Sequence, residues 1–291
     1  MIEVNNLYKK FGKKQALDGL SFRAEKGKAF GLLGRNGAGK TTCMRIIMKI
    51  FPQDSGSVDI AGGTVGYLPE ERGLYPKKTV IEQIVYIARL RGVGKERAKA
   101  NAKTLLARLD AEQYLNSRLD TLSKGNQQKI QLALALVHNP EILILDEPFS
   151  GLDPVNSLIL KDVIKEQTQI GRTVIFSSHQ MPQIEEFCDD IALINDGKTV
   201  LSGNLSEIKR GYPRNRIYLE CAPLGADLLQ LDFPCEIQPN GRGYTVTLPQ
   251  ESDKPLLFSF LREKEVNVDS FYVIEPTLEE IFVENAGEDI G

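Results

Sequence analysis

The order of apolar and polar positions divides the chain into segments of different character. Residues 1–75 contain short apolar runs separated by glycine turns, a pattern typical of strands. Residues 77–140 place apolar residues at helical spacing with almost no turn signals, so we predict helices there. From residue 141 onward, short apolar runs alternate with amphipathic stretches. This alternation predicts an α/β fold with a parallel sheet and crossover helices.

The pattern changes again near Gly211, where glycine, proline and arginine residues form a cluster typical of a linker. The part of the chain that follows holds alternating runs that indicate strands, together with two short helical stretches. We therefore predict two domains. The first covers residues 1–213 and includes a helical subdomain at about 77–140, and the second is a small α+β domain at 214–291.

The composition is that of an ordinary globular protein, with 42% hydrophobic and 26% charged residues among 291. The net charge of −3 provides no general basic field, so we expect no nucleic-acid partner. No apolar run reaches the roughly 18 residues needed to span a bilayer. The four cysteines are scattered and are expected to be reduced thiols. We predict a cytoplasmic protein that reaches a membrane only through a partner.

A glycine-rich loop at residues 34–41 has the spacing G-x-x-x-x-G-K-[ST], between a predicted strand at 29–33 and a predicted helix at 41–50. The backbone N–H groups of such a loop bind phosphate oxygens. Lys40 is expected to reach the β- and γ-phosphates of ATP, and the Thr41 hydroxyl to bind Mg²⁺. The full set of loop residues predicted to bind ATP is Gly34, Arg35, Asn36, Gly37, Ala38, Gly39, Lys40, Thr41 and Thr42.

Acidic residues follow the apolar run that begins at residue 141. Asp146 ends a predicted buried strand, which is the usual place for a Mg²⁺ ligand beside a phosphate loop. Glu147 is predicted to polarise an attacking water as a general base. His179 ends another predicted strand and is expected to help orient that water, since strand ends face the ligand crevice of a parallel sheet. The second histidine, His138, is expected to be structural.

A second possible anion site begins at Ser123, which is a good helix N-cap, and Gly125 follows it. A second phosphate-binding helix end is redundant within one subunit. If two copies pack head to tail, Ser123 and Gly125 can instead close on the γ-phosphate held by Lys40 of the partner subunit. Asp153 would then lie near the seam of the dimer.

These motifs, in the order GRNGAGKTT, LSKGNQQK, ILILDEP, SGLD and SSH, resemble the ATP-binding cassette (ABC) ATPases over roughly residues 1–210. The resemblance implies a P-loop NTPase core of the ABC type with a helical subdomain. It also implies ATP hydrolysis with Mg²⁺, a homodimer or pseudo-dimer of ATPase subunits, and a separate membrane permease docked near residues 70–90. The protein would then lie on the inner face of the cell membrane through the permease.

Residue roles carry over from the family at matching positions. Phe11 is the expected adenine contact, and Tyr8 is a weaker candidate. The family's glutamine that reaches Mg²⁺ is replaced by Glu70, which we expect to keep a metal contact. The family signature is usually L-S-G-G-Q, and the residues at the corresponding positions, expected to face the ATP of the other subunit, are Ser123, Lys124, Gly125 and Asn126.

The stretches EERGLYP and EPTLEEIFVE are similar to one branch of the family, the bacterial exporter ATPases of the sodium-efflux and drug-export kind. The alternative is a soluble ABC ATPase acting on ribosomes or DNA. Such members usually carry two cassettes or a long coiled-coil insertion, and this chain has neither. The segment after residue 213 is either a regulatory sensor or a cap that stabilises a dimer, and the sequence leaves both possibilities open.

Overall fold

The computed structural model describes residues 1–71, 73–221 and 233–286, so Arg72 of the EERGLYP stretch and parts of the predicted second domain lie outside the described residues. The chain divides into two compact units, Met1–Leu205 and Ser206–Gly291. The Gly211 cluster, predicted to be a linker, falls inside the second unit.

Among its described residues, the first unit has nine strands with helices between them. The strands are β1 (Ile2–Phe11), β2 (Lys14–Ala24), β3 (Ala29–Leu33), β4 (Ser55–Ile60), β5 (Val65–Leu68), β6 (Ile142–Asp146), β7 (Thr173–Ser178), β8 (Asp190–Asn195) and β9 (Lys198–Asn204). The helices are α1 (Lys40–Ile47), α2 (Val80–Leu90), α3 (Lys95–Arg108), α4 (Lys124–Leu136), α5 (Pro154–Gln169) and α6 (Met181–Phe187), and α7 (Leu205–Arg210) starts at the boundary.

The central layer is a six-stranded sheet in the order β5–β6–β7–β3–β8–β9. Its strands are parallel except β9, which runs antiparallel to β8. Every residue of β3, β6 and β7 is buried, as expected for parallel strands covered on both faces. The predicted α/β fold with a parallel sheet is therefore confirmed, and the carboxyl ends of these three strands meet at one edge.

A second layer, a three-stranded antiparallel sheet, has the order β2–β1–β4. Its apolar residues share one core with α1 and the central sheet, and this core includes Leu20, Met44 and Ile144. The helix α1 ends at Ile47, three residues before the predicted end at residue 50. Lys49 has a left-handed φ of 58°, which ends the helix.

The segment predicted to be helical contains α2, α3 and α4. Thr79 caps α2 through a capping box, because its hydroxyl accepts from Glu82 N and the Glu82 carboxylate accepts from Thr79 N. The helix α3 buries alanine and leucine side chains on one face, and α4 buries most of its length. The predicted helical subdomain is thus present within the first unit.

The second unit contains β10 (Arg216–Cys221), β11 (Glu236–Asn240), β12 (Gly243–Thr247), β13 (Val268–Ile274), α8 (Lys254–Glu263) and α9 (Leu278–Ala286). The strands form an antiparallel sheet in the order β11–β12–β10–β13. Leu219 and Val246 on the sheet share a core with Leu257 and Leu261 of α8. This arrangement is the α+β architecture predicted for the end of the chain.

Across the described ranges 1–71, 73–221 and 233–286, the structure contains no helix with the length and apolar character required to cross a membrane.

The apolar core of the first unit should dominate its stability. Ile144 lies in the middle of β6 and is fully buried, so Ile144→Ala should lower the free energy of unfolding by about 2–5 kcal/mol. The matched control is Ile170→Ala, at a position 65% exposed, which should change stability by less than about 0.5 kcal/mol. Denaturant titration followed by circular dichroism measures both. Equal effects of the two substitutions would contradict the assignment of the core.

Candidate active site

The glycine-rich loop connects the end of β3 to the start of α1, as predicted. Gly39 has a φ of 111°, and a Cβ built there would lie 2.6 Å from the Ala16 carbonyl oxygen, so only glycine fits. The helix α1 begins at the next residue, Lys40. The first N–H groups of a helix have no intrahelical partner, so the loop and the helix end together form an anion site.

Lys40 is enclosed by the loop and by acidic residues. Its side chain is 6% exposed, and its ammonium group donates hydrogen bonds to the carbonyl oxygens of Gly34, at 2.6 Å, and Arg35, at 3.2 Å. Its Nζ atom lies 3.8 Å from Glu147 Oε1. Burial lowers the pKa of Lys40, while the carboxylates of Glu147, Asp146 and Glu70 act in the opposite direction.

Asp146 lies fully buried at the carboxyl end of β6, and only one of its two carboxylate oxygens accepts hydrogen bonds from the described residues. The Oδ1 atom accepts hydrogen bonds from Ser177 Oγ at 2.6 Å and from Thr41 Oγ1 at 3.3 Å. The Oδ2 atom is buried without a hydrogen-bond partner among the described residues. A buried polar group normally has a partner, so an oxygen left free beside the Thr41 hydroxyl suits a hard cation.

The described residues contain no cluster of three or more histidine, cysteine or acidic side chains that could hold a metal by themselves. Mg²⁺ is usually bound through one or two carboxylates together with substrate phosphates and water. Thr41 and Asp146 therefore fit Mg²⁺ in its nucleotide-bound form.

Glu147 has an unusual backbone conformation, with a left-handed φ of 49°. Such a conformation is uncommon for a residue with a side chain, and it often marks a functional site. The Glu147 side chain is only 7% exposed, and its Oε1 atom lies 3.0 Å from His179 Nδ1. The two groups are close but not aligned for a hydrogen bond, and Oε1 has no hydrogen-bond partner among the described residues. The structure therefore brings both predicted catalytic residues together beside Lys40.

A pocket of about 330 Å³ opens above the loop. Its lining residues are Phe11, Lys14, Ala16, Asn36, Gly37, Gly39, Lys40, Thr41, Thr42, Glu70 and Glu147. Three predicted ATP-binding residues do not line it. The carbonyl oxygens of Gly34 and Arg35 accept hydrogen bonds from Lys40, and Ala38 is buried. Lys14 was not singled out from the sequence, because a lysine on a strand outside the motif carries no recognisable signal.

Phe11 lines the pocket from the end of β1 and is 44% exposed. Tyr8, the weaker candidate for the same role, is not among the pocket's lining residues. Its side chain instead covers Gly19, where an added Cβ would lie 3.0 Å from the Tyr8 hydroxyl oxygen. The geometry therefore favours Phe11.

The signature residues lie apart from this pocket, at the start of α4. Ser123 caps the helix, and its hydroxyl accepts from Asn126 N at 3.3 Å. A Cβ added at Gly125 would lie 2.7 Å from the side-chain nitrogen of Asn156, so a larger residue there would have to displace that amide. None of Ser123, Lys124, Gly125 and Asn126 lines the pocket above the loop.

Asp153 is the N-cap of α5, and its carboxylate accepts from Asn156 N at 3.0 Å and from Asn156 Nδ2 at 2.5 Å. These hydrogen bonds hold the pKa of Asp153 below its ordinary value. Asn156, which the sequence analysis did not single out, thus connects the start of α5 to the start of α4.

His138 is half-buried beside β5, where its Nε2 atom lies 3.2 Å from the Val65 carbonyl oxygen. Burial lowers the pKa of His138. It does not line the pocket above the loop.

Comparison with known proteins gives two family matches. A family described as ABC transporter matches residues 17–150, and a family described as ATP-binding protein DrrA1-3-like, C-terminal domain, matches residues 203–286. The first match covers the phosphate loop and the acidic pair, the second covers most of the segment at the end of the chain, and residues 151–202 lie between them.

Individual relatives agree with these families. The chain is 39% identical over 295 residues to YhaQ of Bacillus subtilis, an uncharacterised ABC transporter ATP-binding protein, with 99% of each chain covered. It is 32% identical over 240 residues to LnrL, the linearmycin resistance ATP-binding protein of Bacillus subtilis, with 79% of this chain and 73% of the relative covered.

A solved structure described as the ATP-binding subunit of an ABC transporter matches with a TM-score of 0.68 at 28% identity, covering 72% of this chain and 92% of that chain. The predicted family is therefore confirmed. The chain belongs to the ATP-binding proteins of ABC transporters, and it is a nucleotide-binding ATPase with a DrrA-like C-terminal domain.

Proposed function

We propose that this chain is the ATP-hydrolysing subunit of an ABC exporter and that it drives a separate membrane permease. The observation that carries the proposal is the grouping of Lys40, Asp146, Glu147 and His179 around one phosphate loop. Export is supported by similarity to proteins named for linearmycin resistance and for Nod factor export.

The pocket above the loop would hold ATP. The adenine ring would contact Phe11, and the phosphates would lie on the loop residues 34–42, with the Lys40 ammonium beside the β- and γ-phosphates. Thr41 and Asp146 would hold Mg²⁺, and Glu70 at the pocket wall would contribute a further oxygen. When bound there, Mg²⁺ neutralises charge that develops on the phosphate oxygens during transfer.

Hydrolysis would use the two residues at the strand ends. A water molecule attacks the γ-phosphorus, its proton passes to the Glu147 carboxylate, and the bond to the ADP oxygen breaks. Glu147 is suited to this role because its carboxylate is buried beside Lys40 and His179, and its Oε1 atom accepts no hydrogen bond from any residue that the structure describes. His179, with its Nδ1 atom 3.0 Å away, would orient the water and the carboxylate.

The signature residues would complete the site of a second subunit. In a head-to-tail dimer, Ser123, Lys124, Gly125 and Asn126 of each chain would face the ATP held by the other, and Asp153 would lie at the seam. Their position at a capped helix start, away from the chain's own phosphate loop, supports this assignment. Two ATP molecules would then be buried between two subunits, so that closure depends on ATP and reopening on hydrolysis.

The permease would dock on the helical subdomain near residues 70–90. The helix α2 carries exposed Tyr86 and Leu90 beside a depression of about 530 Å³ that is also lined by Ile81 and Val85. Tyr75 is 56% exposed, and its ring packs edge-on against that of Tyr86 with the centroids 6.4 Å apart. A group of exposed apolar side chains of this kind is typical of a surface that binds another protein. The protein would thereby lie on the inner face of the membrane.

Replacement of the general base should trap the closed dimer. Glu147→Gln keeps the shape of the side chain but cannot accept the proton, so turnover should fall by about 100-fold or more while ATP binding persists. Size-exclusion chromatography with ATP and Mg²⁺ should show a dimer. Lys40→Ala in the same background removes the phosphate contact and should restore the monomer. A monomeric Glu147→Gln protein that hydrolyses ATP normally would contradict the mechanism.

Capture of the partner tests the transporter assignment. Tagged Glu147→Gln protein with ATP and Mg²⁺ is used as bait in detergent-solubilised cells, and the co-purifying proteins are identified by mass spectrometry. A polytopic membrane protein is expected, and Tyr86→Ser should weaken its capture. Ile170→Ser, which changes an exposed apolar residue outside the docking surface, should not. Recovery of ribosomal proteins or DNA in place of a membrane protein would support the soluble alternative.

The adenine contact can be tested with two aromatic residues of the same strand. Phe11→Ala should weaken ATP binding by about tenfold, because base–aromatic stacking is worth roughly 1–3 kcal/mol. Tyr8→Ala should leave ATP affinity within about twofold, since Tyr8 does not line the pocket. Titration with a fluorescent ATP analogue measures both affinities. A larger loss for Tyr8→Ala than for Phe11→Ala would reverse the assignment.

A further inference from the structure

Ser177, near the end of β7, makes contacts to both acidic residues of the site. Its side chain is fully buried. The Oγ atom donates a hydrogen bond to Asp146 Oδ1 at 2.6 Å and accepts one from Glu147 N at 3.0 Å. A single hydroxyl group therefore contacts the two consecutive residues that are assigned to the metal and to the water.

The sheet places Ser177 there through its register. In the parallel pairing of β6 with β7, Asp146 lies opposite Ser177, so both residues stand at the same level of the sheet edge. A serine hydroxyl has one proton to donate and lone pairs to accept. Here the hydroxyl donates its proton to the Asp146 carboxylate and accepts a hydrogen bond from the Glu147 N–H group, so both partners determine its orientation.

The first contact determines which oxygen of Asp146 is free. Ser177 and Thr41 both donate to Oδ1, and Oδ2 is left without a partner among the described residues. A hydrogen bond of 2.6 Å to a carboxylate is short and charge-assisted, which makes it one of the stronger kinds. Ser177 thereby holds the carboxylate through Oδ1 and leaves Oδ2 available for another ligand.

The second contact holds the Glu147 backbone. Glu147 has a left-handed φ of 49°, a conformation that costs free energy in a residue with a side chain and persists only where its surroundings enforce it. The hydrogen bond from Glu147 N to Ser177 Oγ is such a restraint. In this conformation the Glu147 carboxylate lies beside Lys40 and His179.

We propose that Ser177 is a positioning residue for ATP hydrolysis, which aligns Asp146 and Glu147 together without touching ATP. The proposal rests on the roles of those two residues given under the proposed function. It predicts that loss of the hydroxyl leaves nucleotide affinity without Mg²⁺ unchanged, because the loop provides that binding. The same change should weaken the dependence on Mg²⁺ and lower the rate of hydrolysis. A hydroxyl that only supports the fold would change stability alone.

The first test compares two serine-to-alanine substitutions in the full chain. Ser177→Ala should lower kcat by about 10- to 100-fold with little change in KM, because small displacements of reacting groups have effects of this size. The control is Ser202→Ala, which removes a hydroxyl that donates to the Ile191 carbonyl oxygen at 3.1 Å in the same unit. It should leave kcat within about twofold. The melting temperature of each variant is measured in parallel.

The second test does not depend on turnover. In the Glu147→Gln background, a fluorescent ATP analogue is titrated in EDTA and then at increasing Mg²⁺ concentration. Ser177→Ala should leave affinity in EDTA unchanged and raise the Mg²⁺ concentration at half-saturation by about tenfold. Ser177→Thr keeps the hydroxyl group and should bring that concentration back toward the parent value. The titration is carried out well below the melting temperatures of all variants, where nearly all of the protein is folded, so a loss of stability does not shift the Mg²⁺ midpoint.

Two results would overturn the role of Ser177. One is a Ser177→Ala protein with wild-type kcat and an unchanged Mg²⁺ midpoint. The other is a loss of activity that follows the fall in melting temperature equally in Ser177→Ala and Ser202→Ala, again with an unchanged midpoint. Failure of the proposed function has a different signature, since the parent protein itself would then lack Mg²⁺-dependent hydrolysis.

Discussion

The parallel pairing of β3, β6 and β7 is the constraint on which the rest of this structure depends. Their backbone hydrogen bonds set Leu33 opposite Ser178 and Asp146 opposite Ser177. Because every residue of the three strands is buried, a slip of one residue would exchange the two faces of a strand throughout the core. The register is therefore strongly determined, and with it the positions of the phosphate loop, the acidic pair and His179 at one edge.

The site combines this rigid edge with charges that are held away from water. Lys40 and Glu147 are both less than a tenth exposed, and burial of charged groups is unfavourable unless they have close partners. The loop carbonyls and the neighbouring carboxylates provide those partners for Lys40. The same enclosure strengthens electrostatic attraction, since charges interact more strongly in a medium of low dielectric constant. A bound phosphate and Mg²⁺ would therefore contact side chains that are already oriented and whose charges are only partly balanced by their neighbours.

The starts of α4 and α5 lie outside this edge, and each is held by contacts within the chain. Ser123 and Asp153 cap α4 and α5 with their own side chains, and Asn156 lies between Asp153 and Gly125. The glycine at position 125 is thus explained by the close approach of Asn156 within one chain. In the proposed dimer the same absence of a side chain would also let the backbone approach phosphate. A substitution at position 125 would consequently disturb the chain's own packing as well as the proposed contact.

The sequence by itself determined the local features. The spacing of Gly34, Gly39, Lys40 and Thr41 between a strand and a helix identified the phosphate loop, because that chemistry depends on residues close together in the chain. Apolar alternation predicted the parallel sheet, the helical segment and the α+β end of the chain. The ends of helices were predicted less accurately. The helix α1 ends three residues before its predicted end, because Lys49 adopts a left-handed conformation that the apolar periodicity does not reveal.

Only the tertiary structure decided which distant residues meet. The sequence ranked Phe11 above Tyr8, but only the fold shows that Phe11 lines the pocket and Tyr8 does not. Lys14 enters the pocket from a strand outside any motif. The contact of Ser177 with Asp146 and Glu147 joins residues about thirty positions apart in the chain through the register of β6 and β7. A sequence specifies each strand through its own apolar pattern. The alignment of neighbouring strands, by contrast, results from packing of the whole core, and it is this alignment that assembles the site.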